Sequence, residues 1–374
     1  MSKYYSLKEI LKTDSTYHIL LGMKGNGKSY SVKDYILQRA YNEKDPFTGE
    51  ACPDYQFGYL RRWDLENRGA DIEQYFSDFV INDDGRRRIH EITGGEYDAI
   101  SVYQKKIYFS KLDPDTDKII RGKQIGYAFS MSRVSKYSSL AFPNIGCMVY
   151  EEFITNEGYQ PDEPSRLMIL MSTIFRRRNG KVFLIGNTMS RECPYFNEWM
   201  LLGVPRQKQG TIDIYKHTTD DGNTIKIAVE NCENAEIENK LIIGRKTKMI
   251  TTGQWDSEEQ PHLPEPIEHY RVIWPFFIRT NNLCYFARIL KPKEKGEPFI
   301  YVCPHTTEIK DPEHTRILSF QHSLNYLHSK RLLTDKVKYD NLILEMFRNG
   351  RVVYSDNLTG TEFKNLLKQE ACFA

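Results

Sequence analysis

No stretch of the chain approaches the ~18 consecutive apolar residues that a membrane-spanning helix needs. Met1-Ser2-Lys3-Tyr4-Tyr5 opens no apolar run of the signal-peptide kind. Neither a membrane partner nor secretion is therefore expected. None of the seven cysteines (Cys52, Cys147, Cys193, Cys232, Cys284, Cys303 and Cys372) stands in a Cys-x-x-Cys pair, and their number is odd. This argues against a disulfide scaffold and for reduced thiols in a cytosol. The nine histidines show no zinc-site spacing. Neither sign of charge dominates, with 52 Lys and Arg against 50 Asp and Glu, net +2. Any nucleic-acid surface must then come from local runs rather than from the whole chain. Internal repeats and low-complexity tracts are absent too, which excludes solenoid, collagen-like and mainly disordered classes.

What is present is an ordinary globular composition, 40% hydrophobic and 27% charged, over 374 residues. That length suits two domains. Tyr17–Leu21 is a short apolar run, Gly22–Ser29 is glycine-rich, and Tyr30–Ala40 has apolar residues at helical spacing. Strand, glycine loop and helix open a parallel α/β domain. Further buried strands are expected over 56–60, 124–129, 145–150 and 181–185. Helices are expected over 71–80 and 166–175, and a hairpin insertion over 82–122. A proline-rich break at 260–266 precedes a meander of strands at 270–278, 283–289 and 299–303, followed by helices at 319–332 and 339–348. The organisation read from the sequence is an α/β domain over 1–205, a linking subdomain over 206–265 and an α+β domain over 266–374.

The chemistry is concentrated in Gly22-Met23-Lys24-Gly25-Asn26-Gly27-Lys28-Ser29, which fits the phosphate-loop pattern G-x-x-x-x-G-K-[ST]. Glycines let several backbone N–H groups turn towards phosphates. Lys28 supplies a cation for the β- and γ-phosphates, and the Ser29 hydroxyl can ligate Mg²⁺. An ATPase also needs acids at a neighbouring strand end. Cys147-Met148-Val149-Tyr150-Glu151-Glu152 supplies Glu151 for the metal and Glu152 as the general base that polarises the attacking water. Most such motifs have Asp at the first of the two positions, so Glu151 carries one extra methylene. Asn187, after the strand 181–185, is placed to sense the γ-phosphate or hold the water. The competing reading is an Asx turn or a helix cap.

Basic runs add candidates. Arg176-Arg177-Arg178 follows a helix, where cations are favourable on electrostatic grounds alone. Arg176 is also a candidate finger reaching the γ-phosphate of a neighbouring subunit. Lys136 precedes the acidic strand and could serve the same interface or touch DNA. Arg61 and Arg62 end the second strand, where Arg61 could contact nucleotide and Arg62 DNA or a partner. Arg86, Arg87 and Arg88 lie in the insertion, where they are either a solvated loop or a set of cations that engage phosphates. The strands of the C-terminal meander contain no carboxylate, so a metal-dependent nuclease is not expected there.

Four ordered stretches carry a resemblance: Gly22–Ser29, Phe57-Gly58-Tyr59-Leu60-Arg61-Arg62, Val149-Tyr150-Glu151-Glu152-Phe153-Ile154 and Thr173-Ile174-Phe175-Arg176-Arg177-Arg178. Pro194-Tyr195-Phe196 adds a weaker fifth. In these the chain resembles the DNA-packaging ATPases of small tailed phi29-type bacteriophages, over roughly the first 200 residues. The resemblance implies a P-loop ATPase core of the additional-strand, conserved-glutamate (ASCE) type, a small linking subdomain and an RNase H-like C-terminal domain without its active acids. It implies ATP and Mg²⁺, double-stranded DNA as cargo, and a homo-oligomeric ring, a pentamer, docked on the portal of a procapsid in the host cytoplasm. A packaging RNA serves some members. In the same family Glu151 matches the metal acid, Glu152 the catalytic glutamate, Arg176 the finger and Lys136, with looser spacing, a lysine before the acidic strand. Alternatives are a large terminase with an active nuclease, a cellular helicase or DNA-transfer ATPase, and an adaptor with a dead ATP site.

Overall fold

The computed structural model describes residues 5–52, 55–82, 84–113, 115–116, 118–155, 158–176, 178–191, 193–219, 222–233, 259–280, 283–319, 329–331 and 339–369. They fall into two compact units. The first comprises Met1–Ile154, Asp162–Asn187 and Lys208–Glu238. The second comprises Thr155–Pro161, Thr188–Gln207 and Asn239–Ala374. Among the described residues no helix is long and apolar enough to cross a membrane.

The first unit is built on a nine-stranded sheet. Its strands are β1 (Tyr17–Leu21), β2 (Gln56–Arg61), β3 (Ala99–Tyr103), β4 (Lys106–Leu112), β5 (Ile119–Ser130), β6 (Ile145–Glu151), β7 (Lys181–Ile185), β8 (Thr211–Thr218) and β9 (Thr224–Asn231), in the spatial order β3-β4-β5-β2-β6-β7-β1-β9-β8. The six neighbours from β5 to β9 are parallel. The outer pairs β3–β4, β4–β5 and β8–β9 are antiparallel. All five residues of β1 are buried, as a strand covered on both faces requires. The helix Lys28–Asn42 lays Val32, Tyr35, Ile36 and Leu37 into one core, where they meet Phe57, Val149 and Phe183. Gly126 lets β2 and β5 lie close, since a Cβ there would stand 2.5 Å from the Phe57 carbonyl oxygen, while Gly58 leaves room for the Met148 side chain of β6.

Several sequence expectations change here. The segment 82–122 is not an inserted pair of hairpins alone: Arg88–Ile92 is a helix, and β3 to β5 extend the central sheet itself. The expected helix over 71–80 is two, Gly69–Tyr75 and Ser77–Val80, parted at Phe76. The segment 206–265 does not stand apart as a unit. Its strands β8 and β9 complete the first sheet through the pairing of β9 with β1, while 234–258 lies outside the described residues. Period-2 burial looks the same whichever sheet receives a hairpin, so sequence cannot choose between them.

The second unit has a six-stranded sheet of β10 (Tyr270–Arg279), β11 (Cys284–Pro292), β12 (Phe299–Pro304), β13 (Ile317–Ser319), β14 (Ser329–Arg331) and β15 (Val352–Tyr354), in the order β14-β13-β10-β11-β12-β15. The meander β10–β12 is antiparallel, and β13, β14 and β15 join it in parallel pairs. Phe276, Ile278, Tyr285 and Ile289 form its core with Ile343, Met346 and Phe363 from the helices Asp340–Arg348 and Asn357–Gln369. The helix expected over 319–332 is replaced at both ends by β13 and β14; 320–328 lies outside the described residues. The helix Asn357–Gln369 was not foreseen.

Candidate functional site

Because β1, β2, β6 and β7 are parallel, their carboxyl ends share one edge of the sheet, where ligands of open α/β sheets bind. The loop after β1 turns there through Gly22, Gly25 and Gly27, at φ 147°, 83° and 93°. These left-handed values are costly for any residue with a Cβ. The helix Lys28–Asn42 begins directly after Gly27, which leaves its first N–H groups facing the loop. A cavity of about 650 Å³ opens at this edge. Lys24 to Tyr30, Glu151, Glu152 and Ile185 to Asn187 line it, together with Lys33, Asp78, Asn82, Asp84 and Arg86.

Lys28 is buried, and its Nζ donates to the carbonyls of Gly22 (3.2 Å) and Met23 (2.7 Å) and to Asn26 Oδ1 (3.1 Å). The ammonium thus rests on its own loop. Burial pulls its pKa down to about 8, so an entering anion would favour the charged form.

Glu151 ends β6, one strand beyond β7 from the loop. Ser29 Oγ donates to its Oε2 at 3.2 Å, and Tyr75 Oη donates to its Oε1 at 2.6 Å. Burial pushes the Glu151 carboxyl up; the bonds from Tyr75 and Ser29, then the charges of Lys33 and Arg61, pull the other way. Glu152 follows at φ 55°, a strained conformation for a non-glycine residue. It is held there by Arg62, which donates to the Glu152 carbonyl at 3.1 Å, and by the bond from Phe153 N–H to the Ile185 carbonyl. The turn presents the Glu152 carboxylate to the cavity, and Arg61 Nη2 grips it at 2.8 Å.

The remaining arginines and lysine separate by location. Arg61 is not among the cavity-lining residues; it engages Glu152 and, at 3.3 Å, Glu66. Arg62 is no surface contact for DNA. It is buried, paired with fully buried Glu163 at 2.8 Å, and donates to the carbonyls of Glu152 and Phe153. Of the three arginines read as a loop run, Arg86 lines the cavity and pairs with Glu91 at 2.6 Å. Arg87 pairs with Asp98, and Arg88 with Asp34 and Glu91, on the helix Arg88–Ile92. Lys136 is exposed on the turn Met131–Tyr137 and does not line the cavity.

Arg176 directly follows the helix Glu163–Phe175, which returns from the site edge. Its Nη2 donates to Leu140 O, while Arg178 caps the carbonyls of Phe142 and Ile145. Ile145, which Arg178 meets, starts β6 and Glu151 ends it, so Arg176, two residues from Arg178, sits towards the end of that strand opposite the acids. It does not meet the cavity of its own chain.

Residues that sequence reasoning missed are Tyr75 and Lys33. Lys33 falls one helical turn after Ser29, a spacing that places both on one face. No motif marks Tyr75, which arrives from a helix 76 positions before Glu151.

The model of the podovirus DNA encapsidation protein family (Gp16) matches residues 1–219. The DNA packaging protein of Bacillus phage phi29 is 30% identical over 201 residues, covering 52% of this chain and 49% of that protein. The DNA packaging protein of Bacillus phage B103 is 28% identical over 212 residues, covering 56% and 54%. The chain thus matches about half the length of these relatives. A solved structure, the bacteriophage Phi-29 viral genome packaging motor assembly, aligns over 96% of each chain with a TM-score of 0.51 and 20% identity, which shows a shared fold.

Proposed function

Because the chain belongs to the podovirus DNA encapsidation protein family, we propose that it is an ATP-driven motor that draws double-stranded DNA through a portal into a preformed capsid. The observation that carries this reading is the convergence, around one cavity, of the glycine loop, Lys28, the Ser29–Glu151 contact, Glu152 and Asn187. The placement of β7 between β1 and β6 supports an ASCE core, since the strand of the two acids stands one removed from the loop strand. In the second unit, β13 and β14 lie parallel beside an antiparallel meander, which supports the RNase H-like reading. Nuclease activity is not part of the proposal.

The loop N–H groups and the helix start would bind the β- and γ-phosphates. Lys28 would exchange its loop carbonyls for phosphate oxygens, keeping its proton as it does so. A hydroxyl and a buried carboxylate 3.2 Å apart are the donor set a Mg²⁺ site needs, so Ser29 and Glu151 would hold the ion. When bound, it would neutralise charge on the triphosphate.

Glu152 would take the proton of the attacking water. Arg61 Nη2, 2.8 Å from Glu152 Oε2, would orient the carboxylate for this step. Asn187 would orient the water. Arg176, remote from its own cavity, would complete a neighbour's site in a homo-oligomeric ring, a pentamer by family resemblance, at the portal vertex in the host cytoplasm. DNA would be held by its phosphates, which suits cargo of any sequence.

Portal-bearing capsids supplied with the protein, ATP and DNA should protect DNA from added nuclease. Glu152→Gln should bind ATP as the parent does yet lose at least about a hundredfold in turnover and all protection. Full turnover by Glu152→Gln would remove the base, and ATP turnover without protected DNA would favour a cellular DNA-transfer or helicase role.

A further inference from the structure

Glu151 stands where a shorter aspartate would need one torsion fewer to be fixed. Something must therefore hold the longer side chain. Its two oxygens have different partners: Oε2 accepts from Ser29 beside the cavity, and Oε1 accepts from the Tyr75 hydroxyl at 2.6 Å. Tyr75 is itself restrained. Its ring packs against Tyr59 at 4.7 Å and edge-on against Phe76 at 4.9 Å. Lys33 Nζ lies 4.7 Å from the ring centroid, donates to the Tyr75 carbonyl at 2.8 Å and pairs with Asp78 at 2.6 Å. Lys33 and Ser29 belong to one helix. The contacts thus close a circuit from Ser29 through Glu151, Tyr75 and Lys33 back to Ser29's own helix. Glu73, two residues before Tyr75, also accepts the Val102 N–H at 2.8 Å, which ties the helix Gly69–Tyr75 to β3.

We propose that Tyr75 is the positioning residue of the Mg²⁺ acid: its clamped hydroxyl occupies Glu151 Oε1 and so turns Oε2 towards Ser29 and the cavity. The proposal rests on the reading of Glu151 as that acid. Tyr75 does not line the cavity; it acts through Glu151. Partners of this kind, one shell out from a metal ligand, typically contribute 10–100-fold to metal affinity or activity.

The test is equilibrium binding of a fluorescent ATP analogue to the full chain, in EDTA and across a Mg²⁺ titration. Tyr75→Phe keeps the ring and removes only the hydroxyl. It should bind nucleotide in EDTA as the parent does, and should need about tenfold more Mg²⁺ to reach half of the metal-dependent tightening. In a Glu151→Gln background the same substitution should produce no further shift, since residues acting as one unit are non-additive. An unchanged Mg²⁺ requirement in Tyr75→Phe, or an undiminished shift in the Glu151→Gln background, overturns the proposal. Equal weakening with and without metal also overturns it, by making the bond a general structural one. If the parent binds nucleotide with no response to Mg²⁺, the metal-acid reading of Glu151 fails and takes the proposal with it.

Discussion

His18 shows how a single side chain sets a condition on the whole domain. It lies in β1 between β7 and β9, fully buried and stacked on Phe183 at 5.0 Å. Burial pulls its pKa from 6.5 down to about 3. Between those values the unfolded chain takes up a proton that the folded chain refuses. Stability from this residue is therefore complete above pH 6.5 and is lost as the pH falls towards 3, by about 1.4 kcal/mol per unit. His18→Leu should flatten that part of the pH dependence, read as the difference between parent and variant urea midpoints from pH 7 to pH 5. Identical slopes would place the proton elsewhere. The phosphate-loop residues are of the opposite kind. Their geometry was readable from eight adjacent letters, because it is local: left-handed glycines, a lysine and a hydroxyl at the start of a helix.

The elements are joined at the site by buried charge rather than by motif. Arg62 directly follows β2, Glu163 starts the helix Glu163–Phe175 that leaves the site, and Tyr150 of β6 also donates to Glu163, at 2.6 Å. Taking one partner from such a pair leaves an uncompensated buried charge. Arg62→Met should cost about 3–5 kcal/mol in urea unfolding. Adding Glu163→Gln should restore part of that loss. A cost below about 1 kcal/mol would mean that water reaches Glu163. From sequence, Arg61 and Arg62 were both candidates for contact at a ligand edge. Strand alternation sends adjacent side chains to opposite faces, so Arg61 reaches Glu152 while Arg62 is sealed inside. The basic run at 86–88 was read as loop for a related reason: its neutralising partners, Asp34, Glu91 and Asp98, come from two other segments besides its own helix.

For the whole molecule, the two edges of the first sheet divide the proposed labour. Phosphate loop, acids and Asn187 share one edge, and Arg176 stands at the other. A ring offers the arrangement in which both edges serve one reaction. Arg176→Ala subunits mixed with Glu152→Gln subunits should then regain ATP turnover, each variant contributing the half that the other lacks. No recovery on mixing, with Arg176→Ala active alone, would assign Arg176 to capping the Leu140 carbonyl. The alternation of strands and helices up to residue 190, and the meander that follows the prolines, were legible in composition and periodicity, since those patterns are imposed by burial close to each residue. Strand order, the adoption of β8 and β9 by the first sheet, the pairing of Arg61 with Glu152, and the approach of Tyr75 to Glu151 were not. Each depends on which distant segments meet, and that choice is made by the packing of whole faces, a cooperative property that no short stretch of letters carries.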